Sequence, residues 1–354
     1  MIRVLVADDS ATSRALLSAL FSVEADFTVV GEATNGQEAV AMAEQLKPDL
    51  VTMDVQMPVM DGLEATKQIM VRSPRPIIIV SYTARQREVE LSLEATRAGA
   101  LMVLPKPDGP GSPRFASDQK QLVNMARAMA HVKVVRRHGS PFAPTSASPH
   151  VSNPGTVSTA ASRGRVRLVA IAASTGGPAA IRTILAGLPR SFPVPIVIVQ
   201  HIALGFTSGL AHWLSGDSQM KVKVAETGEL AGAGCVYIAP DDRHIGCRLD
   251  GEGKIRILLD NSPASGAFRP SASFLFRSVA ESLGENALSV ILTGMGDDGI
   301  AGLRAVKSAG GRVIAQDEAS SVIFGMPREA IRAGVVDMVV PLDEIAQRLA
   351  EIVR

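Results

Sequence analysis

The sequence predicts two α/β units in tandem: a (βα)5 unit with a five-stranded parallel sheet, then a doubly wound, mostly parallel sheet with a small antiparallel insertion. Three observations carry this expectation. Near-continuous apolar runs, of the kind buried on both faces of a parallel sheet, alternate with segments of helical periodicity. The alternation occurs twice along the 354 residues. Between the two series lies SPFAPTSASPHVSNPGTVSTAASRG (140–164), rich in Ser, Thr, Pro and Ala and without one acid.

The first series gives strands at RVLVAD (3–8), FTVVGEA (27–33), DLVTMDV (49–55), IIIVSYT (77–83) and LMVLPKP (101–107), with helical periodicity at 10–23 and 36–46. Residues 117–135 place Leu122, Met125, Met129 and Val132 at helical spacing and read as a helix leading out of this unit. The stretch 140–164 buries too little surface to offset its ordering entropy and reads as a linker. The units are therefore expected at 1–125 and 165–354, joined by a helix and linker over 126–164. The second series gives strands at RVRLVAIAAS (165–174), PVPIVIVQH (193–201), ALSVILTG (287–294), RVIAQD (312–317) and VDMVVP (336–341). Helices fit 178–188, 206–215, 271–284, 299–309, 326–333 and 342–353. CVYIAP (235–240) and KIRILLD (254–260), with HIGCRLD between them, suggest the antiparallel insertion.

Composition narrows the function classes. A formal net charge of +1 gives no global pull toward nucleic acid or an anionic membrane, and the α/β output unit lacks a basic recognition helix. MIRVLVADDS lacks the unbroken apolar stretch of a secretory signal, and no apolar run approaches the roughly 20 residues that span a bilayer. A reduced, cytoplasmic protein is expected, with Cys235 and Cys247 as free thiols.

In a doubly wound sheet, ligands gather at the carboxyl ends of the strands. Asp8 and Asp9 end the first strand and Asp54 the third; Ser81 closes the fourth, and Lys106 follows the fifth. One acid after a strand is commonly a helix N-cap, as Asp9 or Ser10 could be. Five residues of suitable type, each at a strand end, point to a site. Three clustered carboxylates repel unless a hard cation such as Mg²⁺ holds them. A carboxylate so placed can accept a phosphoryl group, with Ser81 and Lys106 stabilising the added charge.

ADDS (7–10), MDVQMPVMDG (53–62), VSYTA (80–84) and LPKP (104–107) resemble the receiver domain of bacterial two-component response regulators. The resemblance implies that Asp54 is phosphorylated by a histidine kinase. It also implies that Asp8, Asp9 and Asp54 hold Mg²⁺ with the backbone carbonyl of Gln56. One departure stands out: Val103 occupies the place of the aromatic switch residue usual before the lysine.

The stretch VAIAASTGGPAAI (169–181) turns sharply from strand to helix. A dinucleotide cradle would need G-x-G-x-x-G and an acid about 20 residues on; here the turn is S-T-G-G and the next strand ends in Gln200–His201. A hydrolytic nucleophile needs a hydroxyl on a tight turn, a base and a carboxylate. Ser174 supplies the first, His201 the second, and either Asp297 or Asp298 of VILTGMGDDGIAG (290–302) the third. The N–H groups near Thr175 and Met295 suit an oxyanion hole. His212 and His244 compete as bases. His212, beside Trp213, reads as a packing residue; His244 is expected at the pocket edge.

ASTGGP (173–178), QHIALGFT (200–207), YIAPDDRH (237–244), FRPSASFLF (268–276) and LTGMGDDGIAG (292–302) resemble the catalytic domain of the chemotaxis receptor methylesterases, the CheB family. The resemblance implies Ser174, His201 and Asp298 as the triad, with Asp297 at the family's variable position. It implies hydrolysis of glutamate methyl esters, and deamidation of glutamines, on methyl-accepting chemotaxis receptors. An unphosphorylated receiver is expected to cover the cleft. Two rival readings stand beside it: the same enzyme acting on a receptor-like sensor outside chemotaxis, which no feature of the sequence excludes, and a catalytically inert docking module, disfavoured because all three triad candidates are present.

Overall fold

The computed structural model describes residues 1–82, 86–132, 134, 164–263 and 268–354. Nearly all of the expected linker lies outside the described residues. The first unit alternates β1 (Ile2–Ala7), α1 (Ala11–Ser22), β2 (Phe27–Ala33), α2 (Gly36–Leu46), β3 (Leu50–Met53), α3 (Gly62–Arg72), β4 (Ile77–Ser81), α4 (Gln86–Ala98), β5 (Met102–Pro105) and α5 (Phe115–Met129). Its strands pair in parallel in the order β2-β1-β3-β4-β5. Helix starts are fixed locally: Ser10, Asn35 and Asp61 each accept a hydrogen bond from the amide three residues on. Ser10, not Asp9, caps α1, which leaves the Asp9 carboxylate free for other work.

Helix α5 runs four residues past the boundary expected at 125 and ends at Met129. It packs on the first unit, burying Leu122, Val123, Ala126 and Met129 against Leu17, Leu20 and Phe27. Arg127 fastens it there, donating from Nε to Asp26 at 2.6 Å and from Nη2 to Glu24 at 2.9 Å.

The second unit contains β6 (Leu168–Ala173), α6 (Gly177–Ala186), β7 (Ile196–Gln200), α7 (Thr207–Ser215), β8 (Lys221–Val224), β9 (Cys235–Ile238), β10 (His244–Leu249), β11 (Ile255–Asp260), α8 (Ala272–Leu283), β12 (Ala287–Ile291), α9 (Ile300–Ser308), β13 (Arg312–Gln316), α10 (Met326–Arg332), β14 (Met338–Val340) and α11 (Leu342–Val353). Its main sheet has the order β14-β13-β12-β6-β7-β9-β8, all neighbours parallel. The chain first steps from β6 to β7 and outward, then returns to the other side of β6. The switch point therefore lies between β6 and β12, where such sheets bind ligands.

Two expectations about the insertion are corrected. CVYIAP does not pair with KIRILLD; it is β9, parallel to β7 inside the main sheet. The antiparallel pair is β10 with β11, running from His244↔Asp260 to Leu249↔Ile255. The polar edge strand β8, KVKV, was not foreseen. Cys235 and Cys247 are free. No helix among the described residues is long and apolar enough to cross a membrane.

The two units meet along α4, and one continuous apolar cluster joins them through Val89, Leu93, Phe206, Leu210 and Trp213. Beside it, Glu94 Oε1 accepts from Arg182 Nη1 at 2.8 Å and from Trp213 Nε1 at 2.6 Å. The Arg182 guanidinium stacks 4.2 Å from the Trp213 ring centroid. His212 is not a packing residue. Its side chain is exposed, with Nε2 3.5 Å from Glu90 across the interface.

Candidate active site and phosphoacceptor site

In the second unit, three adjacent strand ends bring distant residues together. Ser174 follows β6 and His201 follows β7, and the His201 amide donates to Ala173 O at 2.9 Å. On the opposite side, the Ser174 amide donates to Thr293 O, just beyond β12, at 3.0 Å. The turn after Ser174 is tight, with Gly177 N donating to Ser174 O at 2.8 Å. Gly176 makes it possible by adopting φ +78°, a left-handed conformation that costs glycine little. Gly294 serves by its size: a Cβ there would stand 2.6 Å from Ser174 Cβ. Gln200 Nε2 braces the turn by donating to Ser174 O at 2.8 Å.

Asp298 meets His201, with Nε2 3.0 Å from its Oδ2. The same carboxylate accepts from Ala272 N at 2.7 Å, and from Ser273 N and Ser271 Oγ at 3.0 Å each. It thus sits on the N-terminus of α8, where orphan amides and the helix dipole favour an anion. Burial by itself would raise the Asp298 carboxyl, but the His201 hydrogen bond and the α8 amides outweigh it and hold the group well below the usual carboxylate range. Of the two acids open as partners in the sequence, Asp298 is the one joined to His201.

His201 Nδ1 is buried and has no hydrogen-bond partner among the described residues. Ser174 lines the same cavity, but its hydroxyl forms no hydrogen bond to the imidazole. Catalytic hydrogen bonds are often loose without substrate. The backbone amides of Thr175 and Met295 donate to no carbonyl among the described residues, and both residues face the cavity. This cavity has a volume of about 830 Å³ and is walled on the other side by residues of the first unit, among them Tyr82 and Lys106. His244 is not at its edge: it is buried, stacks on Phe274, and accepts from Ser271 N at 3.2 Å.

In the first unit, ligand atoms of Asp8, Asp9 and Asp54 all lie within 4.8 Å of one another. Asp8 and Asp54 are buried and Asp9 is exposed. Lys106 Nζ stands 2.7 Å from both Asp8 Oδ2 and Asp54 Oδ2. Burial raises the Asp54 carboxyl to about 6 against the opposing pull of Lys106. Burial also works against the Lys106 ammonium, and its two carboxylate partners more than offset this. Ser81 ends β4 beside this cluster and is buried. Gln56 lies in the loop after β3, where its carbonyl accepts no backbone hydrogen bond among the described residues. Three clustered carboxylates and a free carbonyl make a hard oxygen donor set, which fits Mg²⁺.

Sequence reasoning did not single out Phe268, whose ring stacks on His201, nor the Glu94–Arg182–Trp213 cluster. The FRPS motif was visible, but nothing in its spacing says what its first residue touches.

Comparison with known proteins identifies the two units. The CheB methylesterase family model matches residues 169–349, and the response regulator receiver domain model matches residues 4–112. Protein-glutamate methylesterase/protein-glutamine glutaminase 4 of Myxococcus xanthus is 50% identical over 353 residues, covering 100% of this chain and 97% of that protein. The corresponding protein 3 of Anaeromyxobacter dehalogenans is 48% identical, covering 99% of this chain and 98% of its own. The crystal structure of the Thermotoga maritima CheB methylesterase catalytic domain superposes with a TM-score of 0.51 at 44% identity, covering 52% of this chain and 98% of that one. The chain belongs to the CheB methylesterase family and carries a response regulator receiver domain ahead of its catalytic domain.

Proposed function

We propose that this chain removes methyl groups from glutamate methyl esters, and deamidates glutamines, on methyl-accepting chemotaxis receptors in the cytoplasm, under control of receiver phosphorylation. In this reading the receiver extends through α5 to residue 129, the connection follows to 164, and the hydrolase spans 165–354. The observation that carries the proposal is the His201–Asp298 pair, 3.0 Å apart, one strand from Ser174 in a cavity large enough for an extended side chain.

Ser174 Oγ attacks the ester or amide carbonyl carbon while His201 takes its proton. The anionic oxygen is held by the Thr175 and Met295 amides. Asp298, kept ionised by α8, steadies the imidazolium. His201 returns the proton to the leaving group, and methanol or ammonia departs. Water then adds to the acyl-enzyme by the same route, releasing a glutamate side chain and restoring the Ser174 hydroxyl.

In the receiver, a histidine kinase of a chemotaxis-type system donates the phosphoryl group to Asp54. Mg²⁺, held by Asp8, Asp9, Asp54 and the Gln56 carbonyl, supplies charge neutralisation when bound. Lys106 and Ser81 contact the added oxygens. Phosphorylation draws Lys106 away from its present partners, and the α4 contacts with α6 and α7 loosen, uncovering the cleft. No nucleic acid and no membrane insertion enter this scheme.

The test is methanol release from a methylated cytoplasmic receptor fragment, with and without a phosphodonor. Release that rises on phosphorylation supports the proposal. Absence of methanol under both conditions contradicts it.

A further inference from the structure

Phe268 opens the FRPS motif ahead of α8, and no step above uses it. Its ring lies face to face on the His201 imidazole, with centroids 4.2 Å apart and planes 7° from parallel. This geometry turns the negative π face of the phenyl ring, not its positive edge, toward the imidazole. Phe268 is half-buried and lines the cavity that holds Ser174. A few residues on, Ser271, Ala272 and Ser273 hold the Asp298 carboxylate. One short segment, 268–273, therefore addresses the imidazole twice: through its edge by way of Asp298, and through its plane directly.

We propose that Phe268 is a positioning residue that fixes the plane of the His201 ring and stabilises the imidazolium formed when Ser174 gives up its proton. This rests on the reading of His201 as the base. A cation over an aromatic face is attracted by the ring quadrupole, whereas a neutral imidazole gains little from it. The stack therefore favours the charged state of the reaction over the resting one, which is the condition for lowering a barrier. Most other charges near His201 are paired, whereas Asp118 and the exposed Asp297 have no ion-pair partner among the described residues. Asp298 is its hydrogen-bond partner; Arg269 pairs with Asp242 at 2.6 Å. Across the cavity, Lys106 is bound to Asp8 and Asp54, and Arg114 lies 3.3 Å from Asp108, with Asp118 one turn along α5.

The test uses the phosphorylated full chain, a methylated receptor fragment and the pH profile of kcat/KM. Phe268→Leu keeps apolar bulk and removes the π face. The acid limb is expected to move down by about half a pH unit, because loss of the stack lowers the affinity of His201 for its proton. The plateau kcat is expected to fall several-fold with KM little changed. Phe268→Tyr, which keeps the π face, restores the wild-type limb, and Phe268→Met shifts it as leucine does. A merely structural role would lower the plateau and leave the limb in place. An unmoved limb in the leucine and methionine variants, or a tyrosine variant that behaves like leucine, overturns the inference. Wild-type release no greater than that of Ser174→Ala would instead remove the hydrolase reading itself.

Discussion

Glu94→Gln should raise the activity of the unphosphorylated chain. Glu94 stands on α4 of the receiver and accepts from Arg182 and Trp213 of the catalytic domain, so it ties the two across the interface. Burial opposes its charge, yet those two donors outweigh the penalty and lower the carboxyl below its ordinary range. Glutamine preserves shape and still accepts from the Trp213 indole, so the substitution removes chiefly the charge-assisted bond to Arg182. Such bonds are worth about 1.5–3 kcal/mol when the partner is left behind. One third of the Glu94 side chain is open to solvent (33%), and Arg182 retains Asp217; screening brings the expected loss to about 1 kcal/mol. With about 1.4 kcal/mol per factor of ten, the closed arrangement weakens roughly fivefold. The basal rate of methanol release from a methylated receptor fragment should rise by about the same factor, while the fully phosphorylated rate stays unchanged. The effect of Arg182→Gln in the same background should be less than additive. A basal rate equal to wild type would refute the idea that this contact holds the cleft covered.

Further outcomes follow from the two sites. Asp298→Asn should lower kcat by about 10⁴-fold, because an amide no longer steadies the imidazolium. The Asp298 carboxyl is depressed below 3.8 in the folded state, so its stabilising effect is present at neutral pH and is lost as pH falls below that value toward the folded one. The Tm difference between wild type and Asp298→Asn should therefore shrink on acidification below about 4. Chelation of Mg²⁺, or Asp54→Asn, should abolish phosphoryl incorporation measured by mass spectrometry and leave basal hydrolysis intact. Lys106 Nζ lies 4.8 Å from the Tyr82 ring centroid, and Tyr82 faces the cavity where Val103 offers no aromatic. Tyr82→Ala should thus reduce the ratio of phosphorylated to unphosphorylated activity more than it changes the basal rate.

The fold was legible wherever burial imposes a simple pattern. Strands such as IIIVS are covered on both faces and read as apolar runs; helices such as 342–353 show their period plainly. Strand β8 escaped because KVKV lies at the sheet edge, half-exposed, with no apolar run to announce it. Strand β9 was assigned to the insertion because register and partner are set by long-range pairing with β7, which spacing does not encode. The residues at strand ends were legible because the α/β architecture gathers them at one edge. Contacts between units were not: Glu94 and Arg182 are 88 positions apart and carry no mutual signal. Adjacency misled at His212, since neighbouring helical positions point in different directions, and Trp213 turns inward while His212 turns out.

The proposed hydrolysis depends on Ser174 acting through His201 and Asp298. Comparing wild type with Ser174→Ala on a methylated receptor fragment, by mass spectrometry of the fragment, tests this most directly. Loss of methyl groups is expected with wild type, and an unchanged fragment with Ser174→Ala. Demethylation at the wild-type rate by Ser174→Ala would contradict this dependence.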